Sequence, residues 1–385
     1  MNDGKTSFDV LESIKHHIET LKPMLPKQAI VCIGEYAIKT FFKQPNPSKT
    51  EENLPILIGK SSDEILKWAP KGFDPHLAIG FEDQKIDTHF WYTVLPFFST
   101  DDALIDVFKK KPIEKLTGAI ILATVWDGIG SASLPTLITK FKASKINSLS
   151  IAILPSKVQP ADTNFNTLAS LGMCAGIDGA TILLIDRDNL ENYEGVDREG
   201  SLIKGNIVTN YLINLLLPKE TVAQEISELS RTFNVKMYTL LLATGASLKI
   251  YGSLENILDA TLLKPLFNFD LSSASLLYVL LRMPTSLKDK LPRGKIELAI
   301  AGWFKDKAKL KSIYITEPIY VEDTTDRIDI ALFIGGFTTK TMFIDMETKI
   351  KSLRSRALQK HAIKKEEWQA LMKNLGIKEE EEKAS

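Results

Sequence analysis

Residues Gly118 to Lys140 read GAIILATVWDGIGSASLPTLITK, the most informative stretch of the chain. Gly118–Val125 is a short apolar run with β-branched members, the composition of a buried strand. Trp126–Ser133 is punctuated by Gly128 and Gly130, and from Leu134 onward apolar residues return at helical spacing. A strand that empties through glycines into a helix aims the helix's unsatisfied N–H groups, and the positive end of its dipole, at whatever lies over the turn. The outline is that of an anion site, with phosphate as the usual guest. A lone G-x-G also serves tight strand-to-helix packing by itself, so the neighbouring elements decide.

Downstream, Ser148–Leu154 reads as a second strand, followed by a polar segment, a helix and a third strand at Ala180–Ile185. Other segments extend the series: AIVCIG at Ala29–Gly34, LPILIGKSSDEIL at Leu54–Leu66, LLLATGASLKIYG at Leu240–Gly252, LDATLLKPLFNFDLSSASLLYVLLR at Leu258–Arg282 and IDIALFIGGF at Ile328–Phe337. In this order they resemble the tubulin/FtsZ superfamily. WDGIGSA is similar to that family's phosphate loop G-G-G-T-G-[ST]-G, ILPSKVQPADTN to its ribose-side loop, and TILLIDRDN to the strand and polar turn before its central helix. The likeness covers most of residues 28–345 and lies in the order of elements, not in an invariant string.

The resemblance implies an α/β fold: a Rossmann-like nucleotide-binding domain with a parallel sheet, a long central helix, then a smaller mixed-sheet α/β domain whose Leu276 region would be an edge strand. The implied division is an N-terminal extension at 1–27, a GTPase-like domain at 28–200, the central helix at 201–218, a second α/β domain at 219–345, and a C-terminal charged helix with an acidic tail at 346–385. It further implies GTP or GDP with Mg2+ as cofactors, and self-association into filaments or co-assembly with an FtsZ-like relative. The C-terminal tail is a partner site by the same analogy.

Composition is compatible with this. At 385 residues and 44% hydrophobic content the chain can bury a large core. Lys+Arg 48 against Asp+Glu 48 leaves no global basic field for nucleic acid or anionic membrane. Two cysteines, Cys32 and Cys174, in apolar or glycine-rich surroundings point to a reducing compartment, and no metal-ligand set is visible. The start MNDGKTSFDVLESIKHH lacks an apolar leader core and no run reaches the length of a membrane span, so the expected location is the cytoplasm. From Ser201 to Leu217 the apolar residues, among them Leu202, Ile203, Ile207, Val208 and Tyr211, fall on one helical face, and Pro218 ends the run. In the second half, a helix is expected around Leu254–Leu263, with strands at Ser275–Met283, Lys295–Ala301, Ser312–Glu317 and Ile328–Phe337. Lys349–Leu375 reads as a charged helix before LGIKEEEEKAS.

The nucleotide-binding candidates carried over from the resemblance are Gly34, Gly128, Gly130, Ser131, Gln159 and Asn206. Asn206 occupies the place of the family's guanine-contacting asparagine, or is an exposed or capping residue. The departures matter more for function. Trp126, Asp127, Ile129 and Ala132 replace members of the phosphate loop, although a bare backbone is needed where phosphate must lie close. Asp127 brings a negative charge beside the phosphates that requires a bridging cation, unless it serves instead as a helix N-cap. Glu35 follows the one glycine left in the first phosphate turn. Gln159 and Thr163 stand where the ribose-side loop of FtsZ carries glutamate and arginine. The catalytic aspartates of the family correspond to Val235 and Tyr238, neither able to serve as a general base, and Glu225 and Glu228 just upstream read as a solvated helix face. No catalytic residue is therefore assigned. Impaired hydrolysis with weak GTP binding is one expectation, and a pseudo-GTPase partner without nucleotide is the other. A dinucleotide-binding Rossmann enzyme is set aside, because Pro155 and Ser156 follow the strand that should end in an acid.

Overall fold

The computed structural model describes residues 28–42, 53–81, 85–100 and 116–377. The expected N-terminal extension and the acidic run from 378 lie outside the described residues. Six parallel strands, β1 (Gln28–Ile33), β2 (Asn53–Gly59), β3 (Ala78–Gly80), β4 (Gly118–Thr124), β5 (Ser148–Leu154) and β6 (Ile182–Asp186), pair in the order β3-β2-β1-β4-β5-β6. Every residue of β1, β4 and β5 is buried, which explains why they read as unbroken apolar runs: both faces of a parallel sheet are covered by helices. Alternate residues diverge to opposite faces, Ala29, Val31 and Ile33 into one core cluster and Ile30 and Cys32 into the other.

The helices of this half are α1 (Glu35–Phe42), α2 (Ser62–Leu66), α3 (Trp91–Thr100), α4 (Gly128–Ala143), α5 (Ala161–Gly176) and α6 (Arg187–Glu191). The chain builds outward from β1 in one direction through β2 and β3, then from β4 in the other through β5 and β6. The order reverses between β1 and β4. In open α/β sheets that reversal leaves a crevice beyond the carboxyl ends of the two strands, where ligands bind.

The helix expected over Ser201–Leu217 is shorter than its apolar pattern suggested. Leu202 and Ile203 belong to a hairpin, β7 (Glu194–Val196) with β8 (Leu202–Lys204), and the chain turns at Gly205, φ +57°, before α7 (Ile207–Leu216). Ile203 is buried from the hairpin, so its apolar character served a strand, and periodicity over so short a run does not separate the two. The amphipathic α8 (Val222–Phe233) follows, ending on Asn234 in the left-handed region.

The second half continues the same sheet. Strand β9 (Met237–Ser247) pairs in parallel with β6 through Ile182↔Met237 and Leu183↔Tyr238. The short α9 (Leu248–Tyr251) and then α10 (Leu254–Thr261) lead to β10 (Leu276–Pro284). Lys295–Ala301, expected as a strand, lies inside α11 (Arg293–Phe304), where Ile296, Ile300, Trp303 and Phe304 bury one face at helical spacing. Strands β11 (Ser312–Ile315), β12 (Ile319–Val321) and β13 (Arg327–Gly335) complete the sheet. β13 runs antiparallel between β9 and β10, so β10 is interior, with β11 and β12 outside it.

The C-terminal region is two helices where one was expected. α12 (Lys340–Gln359) starts well before Lys349, and α13 (Lys365–Asn374) follows a break at His361, φ +54°. Charged as they are, both bury an apolar stripe on the first half. Phe343, Ile350, Trp368 and Met372 join the core around α4 and α5. Trp368 stacks on Phe165 with ring centroids 5.0 Å apart. No helix among the described residues is long and apolar enough to cross a membrane.

Candidate nucleotide pocket at the switch point

Gly34 follows β1 with φ +89°, and a Cβ there would stand 2.0 Å from the Thr124 Oγ1 at the end of β4. The Thr124 hydroxyl is 3.3 Å from both the Ile33 carbonyl and Asp127 Oδ2. Asp127 has extended backbone and caps α4, its Oδ1 accepting from the Gly130 N–H at 2.7 Å. Burial pushes the Asp127 carboxyl up to about 6, against the lowering effect of the Gly130 N–H, the Thr124 hydroxyl and the Ile129 N–H.

Gly130 is obligatory for packing: a Cβ would sit 1.5 Å from the Thr124 carbonyl oxygen, inside the strand that precedes the helix. Gly128 meets a different neighbour. Its N–H donates to the Thr88 carbonyl at 3.1 Å, and a Cβ there would lie 2.6 Å from the carbonyl oxygens of both Thr88 and Phe90. The Ser131 N–H and hydroxyl both donate to the Asp127 carbonyl, and the side chain has no exposure. The first donors of α4 are thus met by protein acceptors, where a phosphate-binding turn leaves them open.

The segment over Gly128 is held by Asn166, a residue that no motif singled out. Its amide donates to the carbonyls of His89 at 3.0 Å and Trp126 at 3.2 Å, and its Oδ1 accepts from the Trp91 N–H at 3.0 Å. The one available signal was weak: asparagine is a poor helix former, so Asn166 within ADTNFNTLAS hinted at a task for its side chain.

At the mouth, Trp126 meets Tyr36 edge to face with centroids 5.5 Å apart. The Arg187 guanidinium lies 5.1 Å from the Tyr36 ring centre and 5.2 Å from that of Trp126, a cation–π arrangement. Arg187 also donates to Glu191 at 2.8 Å. Burial, followed by the nearby Glu191 carboxylate, pushes the Tyr36 phenol up to about 12.

Gly34, Gly128, Gly130 and Ser131 therefore gather at the ends of β1 and β4. Gln159 turns inward on its own loop, accepting from the Ser156 N–H at 2.8 Å. That loop is tied to α6 by the Lys157 N–H, which donates to Asp188 at 3.0 Å. Bonds from the Ser156 hydroxyl and the Lys157 N–H hold the Asp188 carboxyl below its usual range. Asn206 donates to the Thr40 hydroxyl of α1 at 3.1 Å. Thr163 donates to the Pro160 carbonyl at 2.7 Å.

Val235 and Tyr238 are buried in the core, the Tyr238 phenol 2.9 Å from Ser230 Oγ. Glu228 is exposed as expected, but Glu225 is not a solvated carboxylate. It accepts from Tyr278 at 2.8 Å and faces Lys219 at 3.4 Å, because α8 lays this residue against β10. Among the described residues no His/Cys/Asp/Glu group is placed to hold a metal ion. Cys32 and Cys174 are buried free thiols, their pKa values raised by burial. With Asp127 engaged as a cap and the turn's N–H groups answered, the lining does not fit a magnesium-bound triphosphate.

A Rossmann-ordered parallel sheet with its crevice at β1/β4, the helix α7 after the β7–β8 hairpin, and a mixed antiparallel extension of the same sheet together define a tubulin/FtsZ-like fold. No protein-family model matches the sequence, and no curated protein sequence matches it. The chain is similar in structure to CetZ from Methanosaeta thermophila strain DSM 6194, with TM-score 0.66 and 12% identity over 88% of this chain and 95% of that one. It is also similar to a GTPγS-form protofilament of TubZ from Bacillus thuringiensis serovar israelensis, with TM-score 0.57 and 12% identity over 91% and 97% of the two chains. An FtsZ dimer from M. jannaschii, described as empty, matches with TM-score 0.55 and 13% identity over 84% and 92% of the two chains.

Proposed function

We propose that this chain is a cytoplasmic filament subunit of the tubulin/FtsZ-like type that assembles, with copies of itself or with an active relative, without binding or hydrolysing GTP. The observation that carries the reading is the closed state of the β4–α4 turn. The Thr88 carbonyl takes the Gly128 N–H, the Asp127 side chain takes that of Gly130, and Trp126, Tyr36 and Arg187 pack across the mouth. A triphosphate would have to displace the Thr88–Phe90 segment, forgo charge-assisted bonds worth roughly 1.5–3 kcal/mol each, and lie beside a carboxylate. Two or three such losses weaken binding by several orders of magnitude. The lack of a carboxylate at Val235 and Tyr238 supports absent turnover, and the TubZ structure, recorded as a protofilament, supports assembly.

Equilibrium binding of labelled GTP and GDP, with and without magnesium, tests the first half. The expected result is no saturable binding at micromolar nucleotide, and micromolar affinity refutes the reading. Sedimentation at rising protein concentration tests the second half: assembly is expected to be indifferent to added GTP, and assembly that requires GTP defeats the proposal.

A further inference from the structure

At the end of the sheet away from the β4–α4 turn, a cleft of about 390 Å³ opens between the last turn of α4, the start of β5, the turn before β6 and α8. Three cations line it, Lys142, Lys145 and Arg231, against the single carboxylate of Asp178. Lys142 uses that carboxylate at 3.3 Å and the Asp178 carbonyl at 2.8 Å. Arg231 has only neutral partners here, donating to Asn147 Oδ1 at 3.1 Å and Ser227 Oγ at 3.4 Å. Lys145 forms no ion pair among the described residues. The cleft carries two positive charges beyond its own carboxylate.

The packing of α13 brings the last described residues beside α5, close to Asp178 of this cleft. α13 runs alongside α5 in the same direction. Trp368 lies on Phe165, a Cβ at Gly172 would be 2.8 Å from Leu371 Cβ, and the Asn374 amide donates to the Gly172 carbonyl at 3.0 Å. The same amide nitrogen stands 2.7 Å from where a Cβ on Gly176 would be, two residues before Asp178. Asn374 therefore lies beside the end of α5 that leads to Asp178, and three residues further on the described chain reaches Ile377. The next residues are Lys378 and the run Glu379–Glu382. Extended chain covers roughly 3.3 Å per residue, so the last of these glutamates can reach about 17 Å beyond Ile377.

We propose that the Lys142–Lys145–Arg231 cleft is an acidic-peptide site and that its occupant is the Glu379–Glu382 run of the same chain. The run and an acidic segment from elsewhere would then compete for the same three cations. The attraction is between partly exposed charges and is screened by salt. The inference is independent of whether nucleotide binds at the other end of the sheet.

Carbodiimide coupling of the full-length protein at low salt tests the proposal, since it joins a lysine amine to a carboxylate only when the two touch. The expected product is an amide between Lys142 or Lys145 and one of Glu379–Glu382 within monomeric chains. It should fall at least about fivefold in half-molar salt, where the Debye length shrinks below about 5 Å. The Lys204–Glu194 pair, 3.0 Å apart on the hairpin, is the coupling control. The full-length variant with Glu379–Glu382→Gln should bind a synthetic KEEEEKAS peptide at least about tenfold more tightly than the unaltered chain, and adding Lys145→Glu should remove that binding. Arg231→Gln repeats this arm from another element. Absence of the cleft amide while Lys204–Glu194 couples would overturn the proposal, as would amides formed only between isotopically distinct chains. Binding of inorganic phosphate without binding of the peptide would overturn it too.

Discussion

Replacing Asp127 by Asn isolates one physical conflict at the candidate pocket. The positive end of α4 and the Gly130 N–H favour a carboxylate at this position, whereas burial against the β1 and β4 ends opposes it. Burial wins, and the carboxyl is pushed up to about 6. The sign follows directly. An acid whose folded value lies above its unfolded one binds its proton more readily in the folded state, so stability is greatest below about pH 4 and declines as pH rises through about 6. At about 1.4 kcal/mol per pH unit, the interval between those two values is worth about 3 kcal/mol, which is an upper bound for this partly exposed group. Asn is nearly isosteric and keeps an acceptor for the Gly130 N–H, so the cap survives without the titration. Urea unfolding of both proteins across about pH 4–7.5 reads the difference. The unaltered chain should lose about 2–3 kcal/mol relative to Asp127→Asn over that range. Carboxyls held low, at Asp188, Asp323 and Asp326, lose their contribution as pH falls, but they are common to both proteins and cancel. A difference that stays flat within about 0.5 kcal/mol, or that tilts the other way, refutes the dominance of burial and reopens the turn as an anion site.

Substitutions at two further residues, Trp368 and Asp329, probe the framework. Trp368→Ala removes the ring that α13 buries on Phe165 and should cost about 3–5 kcal/mol in urea unfolding. Trp368→Phe, which also removes an indole N–H lacking an acceptor, should cost less than about 1.5 kcal/mol, and equal losses for the two would contradict the packing account. Asp329, fully buried, accepts from Arg282 at 2.7 Å, Tyr211 at 2.8 Å and the Gly245 N–H at 2.8 Å. Asp329→Ala leaves Arg282 without its carboxylate, while Arg198 keeps Asp323, and should cost about 3–5 kcal/mol, whereas a loss below about 1 kcal/mol by thermal or chemical unfolding would show the Arg282–Asp329 pair to be replaceable.

What was legible in the sequence is what local chemistry encodes. Buried parallel strands are continuous apolar runs, so β1, β4 and β5 could be placed from their composition. Asp127 could be read as a cap because its side chain competes for nearby backbone N–H groups whatever the surroundings. The failures share a cause. Leu202 and Ile203 were as apolar as a helix required, and Lys295–Ala301 as apolar as a strand required, because short patterns satisfy both periods until a partner chooses. For Leu202 and Ile203 the partner is Glu194–Val196, and Ile296 and Ile300 of the other segment belong to the core beneath β9 and β10.

The order of residues by itself specified a strand–turn–helix with glycines at Gly128 and Gly130. What those glycines are for follows from the packed fold. Gly130 admits the backbone of Thr124 and Gly128 admits the carbonyls of Thr88 and Phe90, contacts between segments up to 40 residues apart. A missing Cβ records that something passes close, but its identity depends on which remote segment folding brings there.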